Sequence, residues 1–317
     1  MGSPRLIMKM KVAELRDEPG DVRVFVLRHP LRPTLPEFEA GSHVDVHLPD
    51  GRVRQYSLFG TPHDRSQYSI AVKREVEGRG GSRWLHTNVG VGQEIPVSTP
   101  RNHFGLSEGA GTHILMAGGI GITPMLAMAQ ALNTAGISFE LHYFARSRSL
   151  APLLSEIAQC LPEECVHLHF DDEPATRTSL TTPLDGRSAD ANLYYCGPPG
   201  FMEAVRAAAA DWPPERVHFE AFQPAFDENF VPEAFSIRLG STGEILEVPA
   251  DTSALTVLRE AGAALFSSCE NGVCGTCECG YLDGEPIHLD AVLSPAARSS
   301  RFIPCVSRAK GQVTLDL

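Results

Sequence analysis

Apolar and polar residues alternate in short runs through the first hundred positions. Val22-Arg23-Val24-Phe25-Val26-Leu27, His43-Val44-Asp45-Val46-His47-Leu48 and Tyr68-Ser69-Ile70-Ala71-Val72 are examples. A period of two turns one face of a strand to a core and the other to water, so residues 6 to about 104 predict a small antiparallel barrel. From about 110 to 222 the pattern becomes strand, Gly-rich turn, helix and strand again. The strands are His113–Ala117, Phe139–Phe144, Val166–Phe170 and Leu193–Tyr195, with helical stretches such as Pro124–Ala135 and Pro199–Ala210 between them. Strands alternating with helices of this length predict a parallel sheet with crossovers. Gln223-Pro224-Ala225-Phe226-Asp227-Glu228-Asn229 reads as a polar linker, and residues 232–317 form a short mixed module.

At 317 residues the chain has room for two or three domains, and 43% apolar against 21% charged residues suits globular cores. The formal net charge of −12 argues against non-specific binding to nucleic acid or anionic membranes. Met1–Leu6 has no apolar core of a signal peptide and lacks the Ser or Thr of a myristoylation signal. Ile114 to Leu132 is uncharged and long enough to mimic a transmembrane segment. Its Gly118-Gly119-Ile120-Gly121 and Thr123-Pro124 fit a strand–loop–helix unit better. A soluble, cytoplasmic, monomeric protein is therefore expected.

Four of the eight cysteines crowd into one stretch: Cys269, Cys274, Cys277 and Cys279, with Cys305 downstream. Clustering in a chain of cytosolic character points to metal rather than disulfides. Cys269-x4-Cys274-x2-Cys277 with a distant Cys305 is the plant-type [2Fe–2S] spacing. The glycines of Asn271-Gly272-Val273-Cys274-Gly275-Thr276-Cys277 let backbone N–H groups turn inward around sulfur. Structural zinc prefers two paired-ligand knuckles, and only one short-spaced pair exists here. A Rieske centre would need Cys-x-His pairs, which are absent nearby. Cys279 is surplus and is expected to be packed away from the metal.

Gly118-Gly119-Ile120-Gly121-Ile122-Thr123-Pro124 follows an apolar strand and opens a helix, where a dinucleotide pyrophosphate approaches a helix N-terminus. Thr123 is expected to cap that helix and Pro124 to take its first position. Pro124 replaces the third fingerprint glycine, so the motif is not the standard one. Tyr194-Tyr195-Cys196-Gly197-Pro198-Pro199-Gly200 is a second strand ending in a turn, which places Cys196 beside a bound nicotinamide. Arg146-Ser147-Arg148 after the second strand favours a 2′-phosphate, whereas Asp171 and Asp172 after the third repel one, leaving NADH and NADPH both open. In Arg54-Gln55-Tyr56-Ser57-Leu58, Tyr56 suits a flavin face and Arg54 its phosphate, and Gly78-Arg79-Gly80-Gly81-Ser82 offers a phosphate nest.

With these motifs in this order, the chain resembles the phthalate dioxygenase reductase family of the ferredoxin–NADP reductase superfamily over essentially its whole length. The resemblance implies a multidomain chain. An antiparallel FMN-binding β-barrel spans 1–106, an α/β NAD(H)-binding parallel sheet 107–225 and an α+β β-grasp plant-type ferredoxin domain 226–317. It implies FMN contacts from Arg54, Gln55, Tyr56, Ser57, Ala71, Lys73, Gly80, Gly81, Ser82, Thr123 and Phe222. Arg101-Asn102-His103-Phe104 would close the barrel. NADH would meet Gly119, Gly121, Arg146, Ser147, Asp171, Cys196, Gly197 and Pro198, and relatives with this Arg-Ser pair use NADH. Ser57, Cys196, Glu220 and Phe222 would shape hydride transfer, and Cys269, Cys274, Cys277 and Cys305 would hold the cluster. No insertion suited to an adenine is visible, which favours FMN over FAD.

The implied function is the reductase component of a two-component Rieske-type oxygenase or demethylase, of the kind used in aromatic degradation. NADH gives two electrons as hydride and an iron–sulfur cluster takes one, so a flavin belongs between them. Residues 226–317 carry 13 Asp and Glu against 6 Lys and Arg, which suits a docking face for a basic partner as well as ordinary surface solubility. A diaphorase serving a small acceptor and a non-enzymatic redox sensor are the rival functions.

Overall fold

In the computed structural model, placements are described for residues 6–76, 78, 80–107, 111–188, 190–223, 230–293 and 296–317. The first five residues, Arg79 of the phosphate nest and most of the expected linker (224–229) lie outside them. The chain divides into two compact units after Glu220.

The first unit begins with β1 (Ile7–Glu18), β2 (Val22–Arg28), β3 (Ser42–His47), β4 (Val53–Phe59), β5 (Tyr68–Lys73), helix α1 (Gly81–Asn88), β6 (Glu94–Ser98) and the short β7 (Arg101–Asn102). The strand order β4-β5-β2-β1-β6-β3 closes through a β3–β4 pairing, so six antiparallel strands make a barrel with no open edge. Along β1, Met8, Met10 and Val12 are buried while Ile7, Lys9 and Lys11 are exposed, which is the alternation the sequence shows. Those side chains join Phe25, Leu27, Val44, Leu58, Ile70 and Val97 in one core. Each such burial stabilises by about 1.5–3 kcal/mol.

The same unit continues with β8 (His113–Gly118), α2 (Ile122–Ala135), β9 (Phe139–Ala145), α3 (Leu154–Cys160), β10 (Val166–Phe170), β11 (Asn192–Cys196), α4 (Pro199–Ala208) and β12 (Val217–Glu220). These strands form an all-parallel sheet in the order β10-β9-β8-β11-β12. Central β8 is buried at every position, which explains its unbroken apolar run. Helix α2 is buried from Ile122 through Gln130 because it packs on this sheet and also on barrel strand β4. Covered on two sides, it has no face left for charge, hence its likeness to a membrane span. Among the described residues no helix is long and apolar enough to cross a membrane.

Two details differ from the sequence reading. Helix α2 starts at Ile122 with Gly121 as its cap, so Thr123 lies inside the first turn and donates to the Ile120 carbonyl at 3.1 Å instead of capping. Pro124 consequently stands third in the helix, where its missing N–H still costs nothing.

The second unit contains β13 (Phe235–Leu239), β14 (Ile245–Val248), α5 (Ala254–Glu260), β15 (Cys279–Ile287), β16 (Arg301–Phe302) and β17 (Arg308–Leu315). Its sheet runs β14-β13-β17-β15-β16, with β13 and β17 parallel at the centre. This is the expected β-grasp. Ser253 caps α5 by accepting from the Thr256 N–H at 3.1 Å. Arg308 is buried, donates to the carbonyls of Glu233, Pro249 and Thr252, and lies 4.8 Å from the Phe235 ring centroid.

Candidate functional site

In the parallel sheet the strand order reverses beside β8, where β9 lies on one side and β11 on the other. Ligands of open α/β sheets sit outside the carboxyl ends of the strands at such a point. Both sequence-predicted turns are there. A Cβ on Gly121 would lie 2.1 Å from the Cys196 carbonyl oxygen, so no other residue lets the β8 loop meet the β11 turn this closely. Gly118 and Gly197 approach each other and share the Phe201 ring, which the sequence reading did not single out. An aromatic one turn into a helix after Gly-Pro-Pro-Gly was the available signal. Gly119, Gly121, Cys196, Gly197 and Pro198 are thus brought together. Arg146 and Ser147 follow β9, and Asp171 follows β10, along the same sheet edge.

Cys196 ends β11 opposite Glu220, the last residue of β12. The thiol is fully buried, and burial together with Glu220 pushes it well above its ordinary value. It is therefore a neutral, compact wall of the site. Glu220 reaches across to the barrel, where the buried Ser57 Oγ donates to its Oε2 at 2.9 Å. Burial pushes the Glu220 carboxyl up to about 7, against the lowering effect of that hydrogen bond. A serine, a carboxyl poised near neutrality and a buried thiol thus line one place, contributed by β4, β12 and β11. Phe222, two residues beyond the break between units, is half-buried in the second unit.

The barrel residues divide. Arg54 runs past the start of α1, where a Cβ on Gly81 would come within 2.7 Å of its Nε. Gly80 caps that helix in the left-handed conformation, with Arg52 Nη1 2.8 Å from where its Cβ would stand. The Arg54 guanidinium at a glycine-lined helix start fits a phosphate, with Arg52, engaged by Asp50, beside it. Arg52 was not foreseen, and its pairing with Asp50 is visible only in three dimensions. Ser82 Oγ accepts from the Glu75 N–H at 3.0 Å, fixing the loop before the helix. Lys73 pairs with Glu75 at 2.9 Å, and Ala71 is buried on β5. Half-buried Tyr56 packs against the barrel core. The Gln55 amide is committed elsewhere, lying 3.1 Å from Asp45 Oδ1 and 3.2 Å from His43 Nε2. Buried Asp45 also accepts from Arg101 at 2.6 Å, which ties the barrel-closing segment to β3.

In the second unit, Cys269, Cys274 and Cys277 are buried and Cys305 is half-buried. Cys269 shares a hydrogen bond with Cys274, and Cys277 with Cys305. Those bonds pull Cys274 down to about 5 and lower Cys277, while Cys269 and Cys305, holding the shared protons, are raised. Four thiols arranged so tightly that neighbours share protons are a soft donor set made for iron and sulfide. The Asn271 N–H points to Cys269 Sγ at 3.3 Å and the Thr276 N–H to Cys274 Sγ at 3.5 Å, as ligating thiolates require. Gly272 has φ 71° and a Cβ there would lie 2.6 Å from Val306 Cγ2, so a side chain is excluded on two counts. Leu255, Leu293 and Ile303 pack on Cys277 and keep the loop dry. Cys279 begins β15 and sits in the other core, where burial pushes its thiol up to about 12.

Residues 237–310 match the 2Fe-2S iron-sulfur cluster binding domain family. The vanillate O-demethylase oxidoreductase of Pseudomonas sp. (strain HR199 / DSM 7063) is 44% identical over 289 residues, covering 89% of this chain and 91% of that one. A solved phthalate dioxygenase reductase, titled a modular structure for electron transfer from pyridine nucleotides to [2Fe–2S], superposes with a TM-score of 0.74 at 36% identity, covering 98% of both chains. An intact type IV self-sufficient cytochrome P450 monooxygenase superposes at 0.85 with 38% identity, over 98% of this chain and 41% of that one. The chain belongs to the phthalate dioxygenase reductase family and is an oxidoreductase.

Proposed function

We propose that the chain is the reductase component of a two-component Rieske-type oxygenase or demethylase, carrying electrons from NADH through FMN and a [2Fe–2S] cluster to the terminal oxygenase. The observation that supports it most is the convergence of Ser57, Cys196 and Glu220 at the switch point, in one chain with a three-cysteine loop completed by Cys305. Bound there, the flavin supplies the conversion of a hydride into single electrons.

The chain's own residues position and shield. The Gly119–Gly121 turn and the start of α2 receive the pyrophosphate. Buried Cys196 excludes water from the nicotinamide side. Ser57 holds Glu220 Oε2, and a carboxyl near 7 can keep or release a proton at that atom at working pH. Arg54 and the Gly80–Gly81 start of α1 suit the phosphate of FMN. At the adenosine end, Arg148 is engaged by Glu173 through two bonds of 3.1 Å and lies 4.6 Å from the Phe170 ring centroid. Exposed Asp171 and Asp172 stand on the adjoining strand end. Neutralised cation and exposed carboxylates together disfavour a 2′-phosphate, which supports NADH.

The acidic second unit supports docking to a basic surface, with association that weakens as salt rises. The test is partner dependence. NADH oxidation should be slow alone and become fast and stoichiometric with substrate oxidation when a cognate Rieske oxygenase is added. Equally fast oxidation sustained by a small physiological acceptor, with no oxygenase able to take the electrons, would make the protein a diaphorase.

A further inference from the structure

Away from the switch point, on one face of the parallel sheet, four residues of β9 and β10 stand together: Glu140, His142, His167 and His169. In the parallel register His142 lies directly opposite His167, and Glu140 precedes His142 by two positions, hence on the same face. The His142 ring stacks on both neighbours, with centroids 4.6 Å from His167 and 5.4 Å from His169. Glu140 Oε2 lies 3.1 Å from His142 Nε2 and 4.0 Å from His167 Nε2. The three ligand atoms all fall within 4.8 Å of one another.

The proton positions on this face follow from acceptors that cannot donate. The Thr176 carbonyl lies 3.0 Å from His169 Nδ1, so that nitrogen carries the proton. Neutral His169 is then an acceptor at Nε2, which lies 3.1 Å from His142 Nδ1. Neutral His142 has one proton for two acceptors, His169 Nε2 and Glu140 Oε2, each 3.1 Å away; with that proton on Nδ1, its Nε2 presents a lone pair. Facing that lone pair is Glu140 Oε2, which is an acceptor too. Two acceptors 3.1 Å apart repel unless a cation sits between them. A proton would make His142 an imidazolium, buried at 8% side-chain exposure and stacked against two more imidazoles. The charge of Glu140 is moreover already balanced by Arg187, which holds both carboxylate oxygens at 2.5 and 2.7 Å.

We propose that Glu140 Oε2, His142 Nε2 and His167 Nε2 form a site for a divalent transition cation of the zinc class. Three ligands of imidazole and carboxylate with one open position are the usual set for such ions. Tetrahedral zinc wants its ligand atoms about 3.3 Å apart. The Glu140–His142 pair is nearly there, and His167, 41% exposed, has freedom to turn inward. The relay from His142 through His169 to the Thr176 carbonyl is the outer support that fixes a ligating imidazole's tautomer. Arg187 fixes the carboxylate in the same way, donating to both of its oxygens. The ion would pin edge strand β10 to β9. Beyond His169 the stack continues to Phe144 at 4.5 Å, and from there to Phe201 at 5.7 Å beside the glycine turns.

The test uses untagged holoenzyme with its cluster and flavin loaded, dialysed against Zn2+ and assayed for bound zinc and retained iron. Wild type should take up one equivalent of zinc above the His167→Ala variant while keeping its iron. In calorimetry His167→Ala should weaken binding by about 100-fold or more, and His169→Phe by about 10–100-fold through loss of outer support. Flavin reduction by NADH checks that both variants are folded. Equal zinc uptake by wild type and His167→Ala, or uptake matched by iron released from the cysteines, would overturn the proposal.

Discussion

The cysteine loop and the proposed hydride site solve opposite problems of assembly. Cys269, Cys274 and Cys277 come from one loop, so their spacing carries the geometry, and only Cys305 arrives from elsewhere. The Ser57–Glu220 pair joins residues 163 positions apart on a barrel strand and a sheet-edge strand. The loop depends on local backbone conformation, above all Gly272. The hydride site depends on two separate architectures meeting correctly, through α2 packed on β4. A fault in the first should cost one cofactor; a fault in the second should cost geometry and rate.

The largest effect is expected from Cys305→Ser. The remaining three thiols sit on one loop and cannot enclose the cluster without the fourth, so iron content and visible absorbance of the cluster should fall to background. Flavin reduction by NADH in stopped flow should survive, because Ser57, Cys196 and Glu220 all lie in the other unit. Loss of flavin reduction in a folded variant would show that the two regions are not separable in this way.

Next comes Ser57→Ala. Removing the donor releases Glu220 Oε2 and takes away the one interaction that lowers its pKa. Hydride transfer should slow by about 100-fold if the pair holds reacting geometry. The pH midpoint of that step should move upward from about 7. An unchanged rate and midpoint would reduce the pair to packing.

Glu220→Gln sharpens the same side through stability. The folded-state pKa of about 7 exceeds the ordinary 4.5, so between those values the native state holds a proton that the unfolded chain releases. Native protein binding more protons means stability falls as pH rises through that window. The glutamine variant should lose that fall, measured as urea midpoints at about pH 5 and about pH 8. A slope identical to wild type would place the titrating group elsewhere.

These contrasts also explain what the sequence made legible. Strand periods, the Gly-rich turns and the cysteine spacing are local signals, and the barrel and the parallel sheet follow from them, whereas the β-grasp comes from the family resemblance. Thr123 and Pro124 were misjudged by two residues because Gly121 takes the cap, a matter of loop conformation. Gln55 belongs to a motif by sequence, but buried Asp45 and His43 claim its amide. Arg52 escaped notice because its value lies in proximity to Gly80. The Glu140, His142 and His167 group escaped because β10 lies beside β9 only once the sheet forms. No periodicity records which strand becomes a neighbour.

The smallest effect tests the adenosine end. In the structure Glu173 occupies the Nε–Nη2 edge of the Arg148 guanidinium. Glu173→Ala should free that cation, at an exposed position where little else rests on the carboxylate. A charge-assisted bond to a 2′-phosphate is worth about 1.5–3 kcal/mol, so kcat/KM for NADPH should rise by about tenfold or more. The value for NADH should change little, since its ribose offers no phosphate. Asp171 and Asp172 remain in the variant, so NADH should still be preferred. If NADPH use does not improve, Arg148 lies outside the adenosine subsite, and the preference for NADH rests on the two aspartates alone.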